Sequence, residues 1–268
     1  MLNTVARAFE VLSLFTPSQP IWGASRLATR LGVPKSSAHD LLRSLWQLGL
    51  LEHRPGGEYG LGLGLLTLSH GVRAAHPWLE VSRREMALLA GQTGEVVHLS
   101  VLQGDSLLLL EDVHPGNDGQ PESYGRPGGE AATLGLPSPG PAESGVPLQC
   151  SAMGKVLLSA RPWSEVQALM ARQGLPGLTE GSIRTADELQ TELERIGRQG
   201  YAYDIEEAFP GVCCVAVPVR AGGQVRAAIS ISVPAERFYT HKRQRRAQLL
   251  ETGTRLEAAL SIPRTGEP

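Results

Sequence analysis

Three cysteines in 268 residues, two of them adjacent at Cys213 and Cys214, are too few for a disulfide framework. That excludes a small disulfide-stapled secreted domain, and a reducing cytoplasm is the expected setting. Long apolar runs are missing too, none approaching the ~20 residues that a membrane span needs. The opening stretch MLNTVARAFEVLSLF has the look of a signal peptide. Its polar residues recur on one helical face and no small-residue cleavage site follows, so it reads as a helix of the mature protein. A large charge excess is also absent. The net charge of −2 argues against a sequence-independent nucleic-acid binder.

What is present is ordinary soluble composition, 41% hydrophobic and 19% charged, in a length that favours two domains. Charge is mildly polarised. Residues 1–62 hold six Lys/Arg against four Asp/Glu, and the remainder nineteen against twenty-three.

Leu2, Val5, Phe9 and Leu12 recur at helical spacing, with Ala8 and Phe15 beside them, which predicts an amphipathic helix over 3–15 closed by Pro17 and Pro20. Ala24–Leu31 reads as a short second helix with Leu27, Ala28 and Leu31 inward, ended by Gly32. Pro34 opens a third helix whose inward face is Ala38, Leu41, Leu42, Leu45 and Leu48, ended by Gly49. Leu50–Arg54, a Pro55-Gly56-Gly57 turn and Glu58–Leu61 make a hairpin. Three helices and a hairpin in ~60 residues form a winged helix-turn-helix over 1–62.

Leu63–Ala75 reads as a linking helix, giving a linker over 63–76, and a second domain spans 77–262. Its expected elements are a helix at Leu79–Thr93, strands at Glu95–Leu102 and Ser106–Asp112 joined through Gly104-Asp105, and helices at Met153–Ala160, Trp163–Arg172 and Ala186–Gln199. Strands at Ala202–Ile205, Val212–Val219 and Gln224–Val233 and a final helix from about His241 to Leu260 complete it. The fold class is therefore α+β, with a central antiparallel sheet in the C-terminal domain. Residues 115–147 hold seven Pro and eight Gly, a composition that predicts an irregular loop dispensable for folding.

Six segments together resemble the IclR family of regulators: RAFEVLSLF (Arg7–Phe15), LATRLGVPKSSAHDLLRSL (Leu27–Leu45), the wing LLEHRPGGEYGLG, SAMGKVLLS (Ser151–Ser159), QGYAYDIEEAFPGVCCVAVPV (Gln199–Val219) and AAISISVPAERF (Ala227–Phe238). The likeness covers the chain apart from the Pro/Gly stretch. It implies a ligand-responsive DNA-binding regulator, a repressor or an activator, with a GAF-like effector domain, working as a homodimer or homotetramer.

On the third helix Lys35, Ser36, Ser37, His39, Asp40, Arg43, Ser44 and Gln47 lie opposite the apolar stripe, which suits a recognition helix meeting bases and phosphates of a double-stranded, near-palindromic operator. Asp40 departs from the family, which usually has Arg there; a carboxylate meets phosphate poorly. Arg7, Arg26, Arg54 and Tyr59 are secondary phosphate candidates. Gly60, Gly62 and Gly64 are spaced GxGxG, which is not the dinucleotide pattern, and read as a hinge. The basic run Arg237–Arg246 reads as a solvated helix face.

The resemblance carries Met153, Gly154, Asp204, Val212, Cys214, Ser230 and Ser232 to an effector pocket. Ser230 and Ser232 share one face of a strand, where buried hydroxyls need partners. Gly154 stands near a helix start whose N–H groups suit a carboxylate. The expected ligand is a small organic acid, a hydroxy- or keto-monoacid in preference to a dianion, since Asp204 opposes a second negative group. Gln149 stands where the family often has His, and Cys150 follows it. No enzyme activity, cofactor or metal is expected: the cysteines lack CxxC spacing, and His98 and His114 are isolated in sequence. Two readings stay open beside the regulator, a thiol-based redox enzyme or sensor on Cys150 or Cys214, and a DNA-binding protein with a ligand-blind second domain.

Overall fold

Helical periodicity and glycine punctuation shape the first seventy-odd residues. In the computed structural model, which describes residues 3–16, 18–116 and 146–260, the chain divides into units Met1–Pro77 and Trp78–Pro268. The first contains α1 (Asn3–Ser13), β1 (Trp22–Gly23), α2 (Ala24–Leu31), α3 (Lys35–Gln47), β2 (Leu51–Arg54), β3 (Glu58–Leu61) and α4 (Gly64–Ala75). Gly32 ends α2 in the left-handed conformation (φ 64°), its N–H bonded to the Ala28 carbonyl. Pro34 sits just before α3 in an extended conformation. The core joins Val11, Phe15, Leu27, Ala38, Leu42, Leu45, Leu51 and Tyr59.

The sequence reading of the inward faces needs two corrections. Val5 and Phe9, expected inside, are 60% and 71% exposed, because α1 buries Val11 with Ala8 and Leu12 beside it, and Phe15 joins the core just beyond the helix end. Leu48 is 73% exposed: α3 has already ended, and Leu48 is its cap. The hairpin gains a third strand, too short to read from sequence, in the order β1-β3-β2, with Trp22 opposite Tyr59. The three spaced glycines are also neither hinge nor phosphate cradle. A Cβ on Gly62 would lie 2.4 Å from the Gly49 carbonyl oxygen, and one on Gly64 would lie 2.6 Å from the same atom. They let the chain leaving the wing pass against the turn after α3.

The second unit is built from α5 (Trp78–Thr93), β4 (Val96–Gln103), β5 (Ser106–Val113), a 3-10 turn at Leu148–Cys150, α6 (Ala152–Ser159), α7 (Trp163–Gln173), α8 (Ala186–Gln199), β6 (Ala202–Ile205), β7 (Val212–Ala221), β8 (Gln224–Pro234) and α9 (Ala235–Leu260). The sheet order is β5-β4-β8-β7-β6 and every neighbouring pair is antiparallel. Strand alternation gives it two buried faces. Val97, Leu99, Val215, Val217, Ile229 and Ile231 pack with Met86, Leu89, Phe238, Leu249 and Leu256 of α5 and α9. Ala202, Ala216 and Ala228 pack on the other face with Val156, Leu169, Leu193 and Ile196 of α6, α7 and α8. The Pro/Gly-rich stretch falls largely on residues 117–145, which lie outside the described residues.

The final helix begins at Ala235, straight after β8, and the basic run on it is only partly a solvated face: Arg237 and Arg243 are exposed, while Lys242, Arg245 and Arg246 are partly or fully buried. Arg237 donates to Glu95 at 2.8 and 3.1 Å, and buried Arg245 donates to the Thr93 carbonyl at 2.6 Å. Lys242 lies 4.1 Å from the Tyr203 ring centroid, and Arg246 stacks over Tyr201 at 4.9 Å. These contacts fasten α9 to the start of β4 and to β6.

Because Gly62 abuts backbone that cannot swing aside, Gly62→Ala is expected to cost about 1–3 kcal/mol in denaturant unfolding of the full chain. Gly71→Ala, on the exposed face of α4 with no atom within 4 Å of its new Cβ, should leave stability equal or raise it by about 0.4–1 kcal/mol. Equal effects of the two changes would show that the close approach at Gly62 is not what demands glycine.

Candidate functional site

In the first unit, α3 uses Ala38, Leu42 and Leu45 for the core and leaves Lys35, Ser36, Ser37, His39, Asp40, Arg43, Ser44 and Gln47 exposed. Its outward face is thus a continuous polar row with two cations and one carboxylate, Asp40. Arg54 on the wing donates to Glu52 at 2.7 Å, and Arg26 donates to the Ile21 carbonyl at 3.0 Å with Glu58 3.5 Å away. Both arginine side chains stay about half exposed, so each guanidinium keeps N–H groups for a phosphate beside its neighbouring carboxylate. Arg7 is half-buried. Tyr59 is a correction: it was expected at the wing surface, but β3 is the middle strand of its sheet and the tyrosine is 3% exposed, its ring edge-on to His53 at 5.0 Å.

In the second unit the register assembles the effector candidates. Asp204 lies opposite Cys214, Cys214 opposite Ser232, and Ser232 opposite Val96, forming one row across β6, β7, β8 and β4. The next row reads Ala202, Ala216, Ser230, His98 and Asp112. Val212 shares this face by alternation. Helix α6 packs across β4, β6, β7 and β8, bringing Met153 against it. Cys214 Sγ is 3.3 Å from Ser232 Oγ. Gly154 behaves differently from its reading as an open anion site. Its N–H is bonded to Ser151 Oγ at 3.4 Å, and a Cβ there would meet the Leu148 carbonyl oxygen at 2.3 Å. Its glycine is explained by packing.

Sequence reasoning missed the strongest electrostatic feature. Lys155 on α6 is 1% exposed, and its Nζ donates to both Glu207 carboxylate oxygens at 2.6 and 2.7 Å, with Glu192 of α8 3.8 Å away. The signal was a lysine inside the otherwise apolar run AMGKVLL. Asp204 Oδ1 accepts from the backbone N–H of Glu207 at 2.8 Å and of Ala208 at 3.4 Å. Burial dominates its titration and pushes its pKa up to about 7. Burial also raises Glu207, against the pull of Lys155.

The thiols sit in the wrong setting for nucleophiles. Burial pushes Cys213 up to about 11 and raises Cys150 and Cys214 as well. Cys213 and Cys214 also point to opposite faces of β7. No group of His, Cys, Asp and Glu among the described residues is arranged to hold a metal. Gln149, at the departure from the family pattern, donates to the Pro176 carbonyl at 2.9 Å. A cavity of about 240 Å³ opens at the β4–β5 turn, lined by Asp105, Leu107, Leu148, Gln149, Gln173 and Pro176 among others, and by none of the predicted effector residues. Its carboxylate is already held by Arg172 at 2.8 and 2.9 Å. The polar rows under α6 therefore have the stronger chemistry.

A winged helix with an exposed polar third helix, followed by a separate sheet unit with polar groups buried beneath a helix, defines a DNA-binding regulator with a sensor domain. Residues 4–55 match the model of the IclR helix-turn-helix domain, and residues 144–258 match that of the bacterial transcriptional regulator IclR C-terminal domain. The chain is 30% identical to the HTH-type transcriptional regulator Rv1719 of Mycobacterium tuberculosis over 96% of its own length and 92% of the relative's. With the HTH-type transcriptional regulator XynR of Escherichia coli it shares 28% identity, over 98% and 99% of the two chains. Its fold superposes on an IclR homologue from Microbacterium hydrocarbonoxydans complexed with 4-hydroxybenzoate, with TM-score 0.77 at 24% identity, covering 96% and 99% of the two chains. The Thermotoga maritima IclR superposes with TM-score 0.68 at 24% identity, covering 98% and 100%. This chain belongs to the IclR family of bacterial transcriptional regulators, with a DNA-binding helix-turn-helix domain and a C-terminal effector-binding domain.

Asp204 makes stability pH-dependent with a definite sign. Below its ordinary value of 3.8 the carboxyl is neutral in both states, and between there and about 7 it is ionised unfolded but neutral folded. Its contribution to native stability therefore falls as pH rises from about 4 and levels off above about 7. Asp204→Asn, which keeps the acceptor, should gain on wild type by roughly 2–4 kcal/mol between pH 4 and pH 8 in urea unfolding. A difference that does not change with pH would show that Asp204 ionises normally.

Proposed function

We propose that two copies of residues 1–62 read a near-palindromic operator through Lys35, Ser36, Ser37, His39, Asp40 and Arg43, with Arg7, Arg26 and Arg54 on flanking phosphates. In this reading residues 63–76 link that domain to an effector domain over 77–262, and the protein acts in the cytoplasm. The observation that carries it is the division of labour on α3, which buries three apolar side chains and leaves its whole polar face exposed. One module offers too little surface for tight specific binding. The exposed apolar residues Val5 and Phe9 on α1, with Leu63, Leu66, Leu68 and Val72 along α4, support assembly into a homodimer or homotetramer.

The effector we propose is a small hydroxy- or keto-monocarboxylate held near Met153, Asp204, Val212, Cys214, Ser230 and Ser232. The 4-hydroxybenzoate in a structural neighbour belongs to this class. A single negative charge is tolerable where Lys155 offsets Glu207 and Asp204 stays partly protonated; a dianion is not. Regulation by binding is favoured over redox catalysis because burial holds the thiols protonated. It is favoured over a ligand-blind domain because buried polar groups are costly to keep without a use.

Lys35→Ala and Arg43→Ala should each weaken operator binding by about 1–3 kcal/mol if a base contact is lost. Their melting temperatures should not change, as both side chains are exposed. Wild-type footprints from both variants would remove α3 from the interface. For the effector, a thermal-shift screen of small organic acids should find a ligand that adds about 2.7 kcal/mol at 100 times its Kd. In calorimetric titration the Ser230→Ala, Ser232→Ala double variant should lose about 1–3 kcal/mol of that affinity. Unchanged affinity would place the ligand elsewhere.

A further inference from the structure

The row containing Ser230 continues onto β4 at His98, which lies directly opposite it, and Ser100 follows on the same face opposite Ala228. His98 is 6% exposed and Ser100 is fully buried. Neither His98 Nδ1 nor Ser100 Oγ has a hydrogen-bond partner. Polar atoms this deep are normally paired, and an unpaired one costs about 1–3 kcal/mol. Two of them on adjacent same-face positions, next to a predicted effector residue and under the helix that covers it, form a polar wall lacking a partner.

We infer that His98 and Ser100 extend the effector site along β4 and hydrogen-bond an uncharged hydroxyl or carbonyl group of the bound acid. This rests on the effector reading above and deepens it by naming what the far end of the ligand carries. The chemistry follows from what surrounds these two groups. Burial lowers the His98 pKa to about 4, so the ring is neutral near neutrality and Nδ1 offers one donor or one acceptor, not a positive charge. Asp112 lies opposite His98 on β5 and is 3.1 Å from His114 Nε2. That carboxylate disfavours a second anionic group at this end. A hydroxyl suits both partners, since it donates once and accepts twice. The row of Ser232 and the row of His98 are two residues apart, or ~7 Å along a strand. A small ring or short chain reaches from a carboxylate at the first row to a hydroxyl at the second.

The test compares acids that differ by that one group: 4-hydroxybenzoate against benzoate, and lactate against propionate, titrated calorimetrically into the full-length protein. Wild type should prefer the hydroxylated member of at least one pair by on the order of tenfold. Ser100→Ala and His98→Leu should abolish that preference while binding the deoxy acid as wild type does. Ser100→Ala removes an unpaired hydroxyl and leaves the core volume nearly unchanged, so it should fold with an undiminished melting temperature, which keeps the test decisive if His98→Leu fails to fold. If wild type binds both members of each pair equally, or the preference survives in Ser100→Ala and His98→Leu, the two residues serve a buried water and the inference falls while the carboxylate reading stands. If wild type binds none of the four acids at millimolar concentration, both readings are overturned.

Discussion

The second unit is organised around one buried ammonium. Lys155 Nζ holds the Glu207 carboxylate, and the Glu207 carbonyl accepts from the hydroxyls of Thr179 and Ser182 at 3.1 and 2.7 Å. The Glu207 N–H in turn is bonded to Asp204, and Glu192 approaches the same ammonium from α8. Helix α6, helix α8, the 179–182 turn and the β6–β7 connection thus meet at a single point. A buried ion pair of this kind adds little net stability, because desolvating two charges offsets most of their attraction. Removing one partner nevertheless costs about 3–5 kcal/mol by stranding the other. What Lys155 contributes is geometry: it fixes how α6 lies on the sheet, and so how deep the polar rows beneath it are.

That arrangement also sets the charge the site tolerates. One ammonium faces Glu207, Glu192 and, through a backbone link, Asp204. Glu207 absorbs most of the positive charge, and Asp204 answers its own burial by holding a proton up to about pH 7. The polar groups under α6 therefore fall into two kinds. Lys155, Glu207 and Asp204 are partnered and hold the fold. His98 Nδ1 and Ser100 Oγ are buried and unpartnered, which is how a core residue looks when its partner comes from outside the chain.

Much of this was legible in the sequence, and the rest was hidden for specific reasons. Period 3.6 with Gly32 and Pro34 located α2 and α3, and the alternating runs located all five strands of the larger sheet. The inward face of α1 was misjudged because Leu12 and Val11 are both apolar, and only packing decides which one the stripe follows. Two-residue β1 carries no period at all, and without it nothing marks β3 as a middle strand that buries Tyr59. Lys155 was overlooked because a lysine on a helix ordinarily faces water, and its neutralising partner lies 52 residues away. The basic stretch on α9 misled similarly, since Arg246 finds Tyr201 across 45 residues of sequence. Gly62 gave no local sign that a carbonyl thirteen positions earlier would press against it. Local pattern carried the elements; long-range partners decided which charges and glycines were structural.

The two units use polar residues in opposite ways, and each way suits its task. DNA presents a dense array of exposed charge, and cations at the surface can meet it without first being stripped of water or committed to one geometry. The outward face of α3 fits that need, with Lys35 and Arg43 in solvent. A small ligand offers too few groups to be recognised by charge alone. Telling a hydroxyl from a methyl requires that the site suffer when the hydroxyl is missing, and that happens only where the protein's own polar atoms are dry and unpaired. Such atoms lower the stability of the empty domain, so they are kept only where binding repays the loss. On the sheet face they share with Ser230 and Ser232, that argument points to β4 at His98 and Ser100, whose Nδ1 and Oγ are buried without a partner.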